Sequence, residues 1–242
     1  MPFERVHRSG LSSALTSFPE LSQRLGEVRE RIDAAARRGG HGQAVTIVAV
    51  TKNHGADALQ AAWDAGLRDV GENRVQEALE KMDVVGLAFR WHLIGHLQRN
   101  KVKHLTRFHL LHSLDRPQLA DAVNAAGASS NRVFDAFVQV NVAGEETKGG
   151  YDAATLAAEA DRLAQLPNIR VRGVMTMAPF EADDGTLRAV FRGAREARET
   201  LRRAGHDASE LSMGMSGDYE IAVEEGATHV RLGTVLFGAR SA

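Results

Sequence analysis

A single lysine, Lys52, closes the run IVAVTKNHG (residues 47–55), whose β-branched residues otherwise read as a buried strand. A lysine at a strand end is ordinarily a solvated cap or an ion-pair partner. Where apolar neighbours strip its water, however, the ammonium loses its proton more readily, and the neutral amine can form a Schiff base with an aldehyde. The other end of the chain offers a handle for such an aldehyde. SMGMSGDYEIAVEEG (212–226) sets Ser216 and a glycine just before a helix that opens with acidic residues, a junction whose unpaired backbone N–H groups suit an anion. VRLGT (230–234) adds Gly233 and the hydroxyl of Thr234. Arg231, on the same segment, is costly inside a core unless it is paired. It reads either as an ion-pair partner of Glu72 or another acid, or as a donor to a heteroaromatic ring nitrogen, which would hold a pyridine unprotonated.

These residues lie far apart in sequence, so the elements between them must bring them together. Short apolar runs alternate with segments of helical periodicity, the pattern of repeated βα units around a parallel sheet. Strands are expected at 45–52, 68–73, 90–95, 110–115, 134–141, 169–177, 210–216 and 229–238, with a helix from about residue 18 to 38 ahead of the first. Eight units suit a closed barrel better than an open doubly wound sheet, which usually has about five to seven strands. A nucleotide-binding open sheet would also need a glycine fingerprint after the first strand, and TKNHGADA (51–58) is not one. The expected fold class is therefore α/β, a single (β/α)8 TIM barrel with an extra N-terminal helix, in one domain spanning 1–242. In such a barrel, functional side chains gather at the C-terminal ends of the strands, and strands one and eight are neighbours. That would place Lys52 beside Ser216, Arg231, Gly233 and Thr234, with Glu72 and Asn73 ending the second strand.

The chain has 242 residues, 43% of them hydrophobic, enough for a large core. Its 30 basic and 31 acidic side chains leave a formal charge of −1, so no global field recruits nucleic acid or anionic membrane. It contains no cysteine, which excludes disulfides and thiolate chemistry. No apolar run is long enough for a membrane span and the first residues lack a signal-peptide core, so a cytoplasmic location is expected.

In order and spacing, the motifs AVTKN, GENRVQEALEK, WHLIGHLQRNKVK, HSLD, QVNVAGEETKGG, GVMTM and LSMGMSGDYEIAVEEGATHVRLGTVLFG make this chain resemble the pyridoxal phosphate homeostasis protein family, also called the proline synthetase co-transcribed protein family. The resemblance runs from about residue 45 to the C-terminus. It implies a barrel related to the N-terminal domain of alanine racemase that holds pyridoxal 5′-phosphate. Carried over residue by residue, Lys52 is the Schiff-base lysine, Ser216, Gly233 and Thr234 receive the phosphate, Arg231 faces the pyridine nitrogen, and Asn73 lines the cofactor. Met213 lies on the strand leading to the phosphate loop. Arg74, His96 and Gly149 depart from the residues common in the family, where tyrosine, proline and serine are frequent.

The remaining candidates have plainer readings. His92 and His112 are expected to be hydrogen-bonded core residues rather than metal ligands, and no metal is expected. Trp63 reads as helix packing, and Arg99, Lys101 and Lys103 as a solvated helix face. Met175, Met177, Met213 and Met215 read as barrel filling. The related racemases pair the lysine with a tyrosine from a second domain; this chain has only Tyr151 and Tyr219, neither of which reads as a second base. The expectation is thus a monomeric, non-catalytic carrier that stores or delivers pyridoxal 5′-phosphate in vitamin B6 homeostasis, with pyridoxal-phosphate-dependent apo-enzymes as partners. The alternative is a slow pyridoxal-phosphate-dependent amino-acid racemase or related enzyme.

Overall fold

The computed structural model describes residues 18–145 and 148–238. The N-terminal stretch 1–17, and residues 146 and 147 of the QVNVAGEETKGG motif, lie outside the described residues. Eight parallel strands, β1 (Thr46–Val50), β2 (Asp69–Glu72), β3 (Arg90–Leu93), β4 (Leu110–Leu114), β5 (Phe134–Gln139), β6 (Ile169–Met175), β7 (Glu210–Ser212) and β8 (His229–Leu232), close into a barrel in chain order. Closure is made by β1 against β8, with Thr46 opposite His229 and Ala49 opposite Leu232.

The helices α1 (Leu21–Gly39), α2 (Ala56–Asp64), α3 (Val75–Val85), α4 (Pro117–Ser130), α5 (Ala153–Leu163), α6 (Asp184–Arg203), α7 (Tyr219–Glu224) and α8 (Thr234–Phe237) accompany the strands, and a 3-10 helix, Arg99–Arg107, connects β3 to β4. The extra helix α1 buries Leu21, Leu25, Val28, Ile32 and Ala35, a stripe at three- and four-residue spacing, and stops where Gly40 takes a left-handed conformation. The main core lies between the strands and the helices. Inside the barrel, Leu110, Phe137 and Met175 form a small apolar cluster with Met177 against it. The strands also carry buried polar side chains, among them His92, His112, Ser212 and Arg231.

Several strand ends fall short of the expected ones. The run 229–238 is not one strand: β8 stops at Leu232 and 234–237 forms α8, whose Leu236 and Phe237 amides both donate to the Gly233 carbonyl at 2.9 Å. A short apolar run fits either state, and the burial of Leu236 and Phe237, with Phe237 packed edge-on to Phe18, decides for the helix. Likewise β7 ends at Ser212, because Gly214 takes φ +94 and turns the chain toward α7. Met213 is fully buried, but Met215, beyond that turn, is 37% exposed and does not fill the barrel. Trp63 packs as expected, edge-on to Phe89 with the Arg68 guanidinium over its face.

Candidate functional site

Lys52 sits two residues beyond the end of β1, at the C-terminal mouth of the barrel. Its side chain is exposed, which corrects the expectation of a desolvated amine. The last buried residue is Thr51, and Lys52 has already stepped past the rim into a turn where Asn53 adopts φ +61. Among the described residues its ammonium has no hydrogen bond or ion pair.

The turn itself is pinned on both sides. The Lys81 ammonium, on α3, donates to the Thr51 carbonyl (2.7 Å), to Glu72 Oε1 (2.6 Å) and to Glu77 Oε1 (2.8 Å). All three of its protons are therefore used. Thr51 Oγ1 donates to Glu72 Oε1 (2.6 Å), and the Asn53 amide donates to Glu77 Oε1 (2.6 Å). Burial pushes the Glu72 carboxyl up, against the pull of Lys81 and Thr51. This network was not anticipated, although the Glu77 to Lys81 spacing on one helix face was a readable signal. It also removes Glu72 as the ion-pair partner considered for Arg231, since Glu72 is engaged by Lys81.

Arg231 is buried on β8 and bonds to neutral groups. Nη1 donates to the Ser212 carbonyl (2.8 Å) and hydroxyl (2.7 Å), and Nη2 to the Thr176 carbonyl (2.9 Å). Three of the five N–H bonds of a guanidinium are thus spent, and two remain for a ligand. Burial draws the Arg231 guanidinium down to about 10, offset in part by the Asp218 charge, so it stays protonated at neutral pH.

Two of the expected phosphate residues, Ser216 and Gly233, meet on one oxygen, joined by Val235 rather than Thr234. Ser216 Oγ accepts from the Gly233 amide and the Val235 amide, each at 3.3 Å. The loop after β7 and the start of α8 therefore converge on a point where backbone N–H groups face an oxygen. Gly233 in turn lies against Val50: a Cβ on it would stand 3.5 Å from the Val50 carbonyl oxygen. The Ser216 corner and the Lys52 turn are thus joined through the last residue of β1. Thr234 is exposed at the first position of α8.

Asn73, half-buried just after β2, is backed by Gly95, where a Cβ would come within 2.3 Å of the Asn73 carbonyl oxygen. Met213 lies in the wall beneath the β7 loop, its amide donating to the His229 carbonyl (3.1 Å). Two of the unusual residues, His96 and Gly149, share a neighbour: His96 Nδ1 lies 3.1 Å from Asp115 Oδ2, and a Cβ on Gly149 would stand equally close to that oxygen. Among the described residues no group of three or more His, Asp or Glu side chains is arranged to hold a metal ion, and no helix is long and apolar enough to cross a membrane.

A family model described as the alanine racemase N-terminal domain matches residues 24–241. A pyridoxal phosphate homeostasis protein of Aquifex aeolicus is 43% identical over 222 residues, covering 90% of this chain and 97% of that one. The chain belongs to this family. Its counterpart in Pseudomonas aeruginosa, also named pyridoxal phosphate homeostasis protein, is 40% identical over 91% of this chain and 96% of the relative. Among solved structures, PipY of Synechococcus elongatus, determined with pyridoxal phosphate bound, superposes with a TM-score of 0.81 at 36% identity, over 90% of this chain and all of PipY. Alanine racemase from Corynebacterium glutamicum shares the fold at a TM-score of 0.71 and 16% identity, over 93% of this chain and 62% of the racemase.

Proposed function

We propose that this pyridoxal phosphate homeostasis family member binds pyridoxal 5′-phosphate at the C-terminal mouth of the barrel and serves its storage and delivery rather than amino-acid turnover. The observation that carries this reading is the convergence of the Gly233 and Val235 amides on Ser216 Oγ, in contact with the strand that ends two residues before Lys52. The donor set suits the cofactor's chemistry. Two amides and a hydroxyl match a phosphate, an unpaired amine matches an aldehyde, and a buried guanidinium with two N–H bonds to spare matches a pyridine nitrogen.

When bound, the cofactor would supply an electron-withdrawing ring conjugated to the lysine nitrogen. Arg231, a charged donor with no proton to give at neutral pH, would keep the ring nitrogen unprotonated and the sink weak. Ser216, Gly233, Val235 and Thr234 would fix the phosphate, Asn73 and Met213 would form the wall, and Lys52 would hold the aldehyde carbon.

A storage role is supported by the tyrosines. Tyr151 donates to Glu159 on α5 at 2.7 Å, and burial together with that carboxylate pushes its phenol well up, so it is a poor base. Tyr219 is 3% exposed beneath the β7 loop, packed under Gly214. In this reading the protein acts as a cytoplasmic monomer, and its partners are apo-enzymes that accept the cofactor. The exposed position of Lys52 suits a cofactor that must leave. Titrating the purified protein with pyridoxal 5′-phosphate, and following α-proton exchange of amino acids in deuterated water, tests both parts. A Lys52-dependent absorption change without exchange is expected; exchange at enzyme-like rates would move the assignment to a racemase.

A further inference from the structure

Behind Arg231 a single file of hydrogen bonds crosses the barrel interior. Arg231 Nη1 meets Ser212 Oγ at 2.7 Å, Ser212 Oγ meets His112 Nδ1 at 2.8 Å, His112 Nε2 meets His92 Nδ1 at 2.9 Å, and His92 Nε2 meets Asp69 Oδ1 at 3.0 Å. Every member is buried, with Ser212 and His112 wholly enclosed. The file starts beside the candidate ring-nitrogen position and ends at the N-terminal end of the barrel, on the first residue of β2. There Asp69 is also held by Arg90, at 2.6 Å from Nε and 2.5 Å from Nη2.

The proton order is fixed from the Asp69 end and matched at the Arg231 end. A guanidinium can only donate, so Ser212 Oγ accepts from Arg231 and is left free to pass its own proton to His112 Nδ1. A neutral His112 then carries its proton on Nε2 and donates to His92 Nδ1, and His92 donates from Nε2. From the far end, an ionised Asp69 can only accept, which again puts the His92 proton on Nε2 and the His112 proton on Nε2. The Asp69 end requires this arrangement and the Arg231 end accommodates it, so each bond has one donor and one acceptor.

We propose that Ser212, His112 and His92 are positioning residues for Arg231: a proton-ordered strut, anchored on Asp69, that holds the guanidinium as a fixed donor toward the ring nitrogen of bound pyridoxal 5′-phosphate. The strut's function rests on the cofactor reading above. Its surroundings support the neutral state of both imidazoles. His92 faces His109, His229, Asp69 and Arg90, while His112 faces His92, His229, Arg231 and the ring of Phe137 at 4.8 Å. Burial first, and the neighbouring basic groups second, hold the His112 imidazole well below its ordinary range, and burial lowers His92 against the pull of Asp69. In a dry interior such a file is stronger than its separate bonds, and a broken link leaves an orphaned donor.

The test uses the full chain with 15N-labelled histidine. Without cofactor, His92 and His112 should both show the neutral Nε2–H tautomer from about pH 5 to 8. An Nδ1–H tautomer or a titration of either ring within that window overturns the strut. With pyridoxal 5′-phosphate labelled at the ring nitrogen, His112→Phe and Ser212→Ala should weaken binding about tenfold. They should also move the ring-nitrogen signal toward its protonated position, whereas His112→Asn, which keeps an acceptor for the Ser212 hydroxyl, restores both. Variants that bind with wild-type affinity and an unchanged ring-nitrogen signal overturn the positioning role alone. A wild-type protein that takes up no pyridoxal 5′-phosphate overturns the cofactor reading instead, and the tautomer measurement still decides the hydrogen-bond order.

Discussion

The Lys81 ammonium lies 2.7 Å from the carbonyl oxygen of Thr51, the residue immediately before Lys52. A buried lysine thus holds the backbone from which the exposed lysine projects. Lys81→Met removes the counter-charge of Glu72, whose Oε2 already has no partner. Stranding a buried carboxylate costs about 3 to 5 kcal/mol. Urea denaturation should show that loss at neutral pH. Because the raised Glu72 carboxyl is then free to take a proton, part of the stability should return on mild acidification.

The corner at Ser216 predicts a selective effect on ligand binding. Ser216→Ala removes the hydroxyl that meets the Gly233 and Val235 amides, and should raise the dissociation constant for pyridoxal 5′-phosphate about tenfold. Binding of pyridoxal, which lacks the phosphate, should change little. Equal losses for the two ligands would place the phosphate elsewhere.

Two glycines should respond oppositely to alanine. In Gly95→Ala the new methyl would meet the Asn73 backbone at 2.3 Å, so strand ends must part, at a cost of about 1 to 3 kcal/mol, with weaker cofactor binding. Gly26, inside α1, has open space around it, and Gly26→Ala should stabilise by about 0.5 to 1 kcal/mol without touching the site. Thermal melts of the two variants check both signs.

Acid should unfold this protein steeply. Burial holds His92 and His112 below their ordinary range and lowers His229 to about 3. Below about pH 6.5 the unfolded chain takes up protons that the folded chain refuses, so stability falls as pH falls. Three such groups give a slope of up to about 4 kcal/mol per pH unit, and two units exhaust much of a typical domain's stability. Asp69 adds to the loss only at lower pH. Burial would raise its carboxyl, but the His92 and Arg90 hydrogen bonds outweigh this and hold it well below the usual carboxylate range. Denaturant melts between pH 4 and 8 read the slope, and His112→Asn should remove about a third of it.

The barrel was legible because short segments rich in Val, Ile, Leu and Phe recur along the chain, each separated from the next by a helical stripe. The strand ends were not. Whether 234–237 extends β8 or coils into α8 depends on what Phe237 packs against, which lies at the other end of the chain. The types of the site residues were likewise readable from Lys52, Ser216, Arg231 and Gly233, and the exposure of Lys52 was not. It follows from where Thr51 finds Glu72, a partner 21 residues away. Arg231 shows the same limit more sharply. Its partners are Thr176, just past the end of β6, and Ser212, the last residue of β7, and the His112 to Ser212 link spans 100 residues. A buried strand histidine announces that it needs a partner, but only the closed barrel says which.

The most direct measurement is the visible absorption of the protein mixed with pyridoxal 5′-phosphate, before and after borohydride, followed by mass mapping of the labelled peptide. The account predicts a new absorption band that borohydride abolishes, with the reduced adduct on Lys52 and none in Lys52→Ala. An adduct spread over other lysines, or an unchanged band in Lys52→Ala, would contradict it.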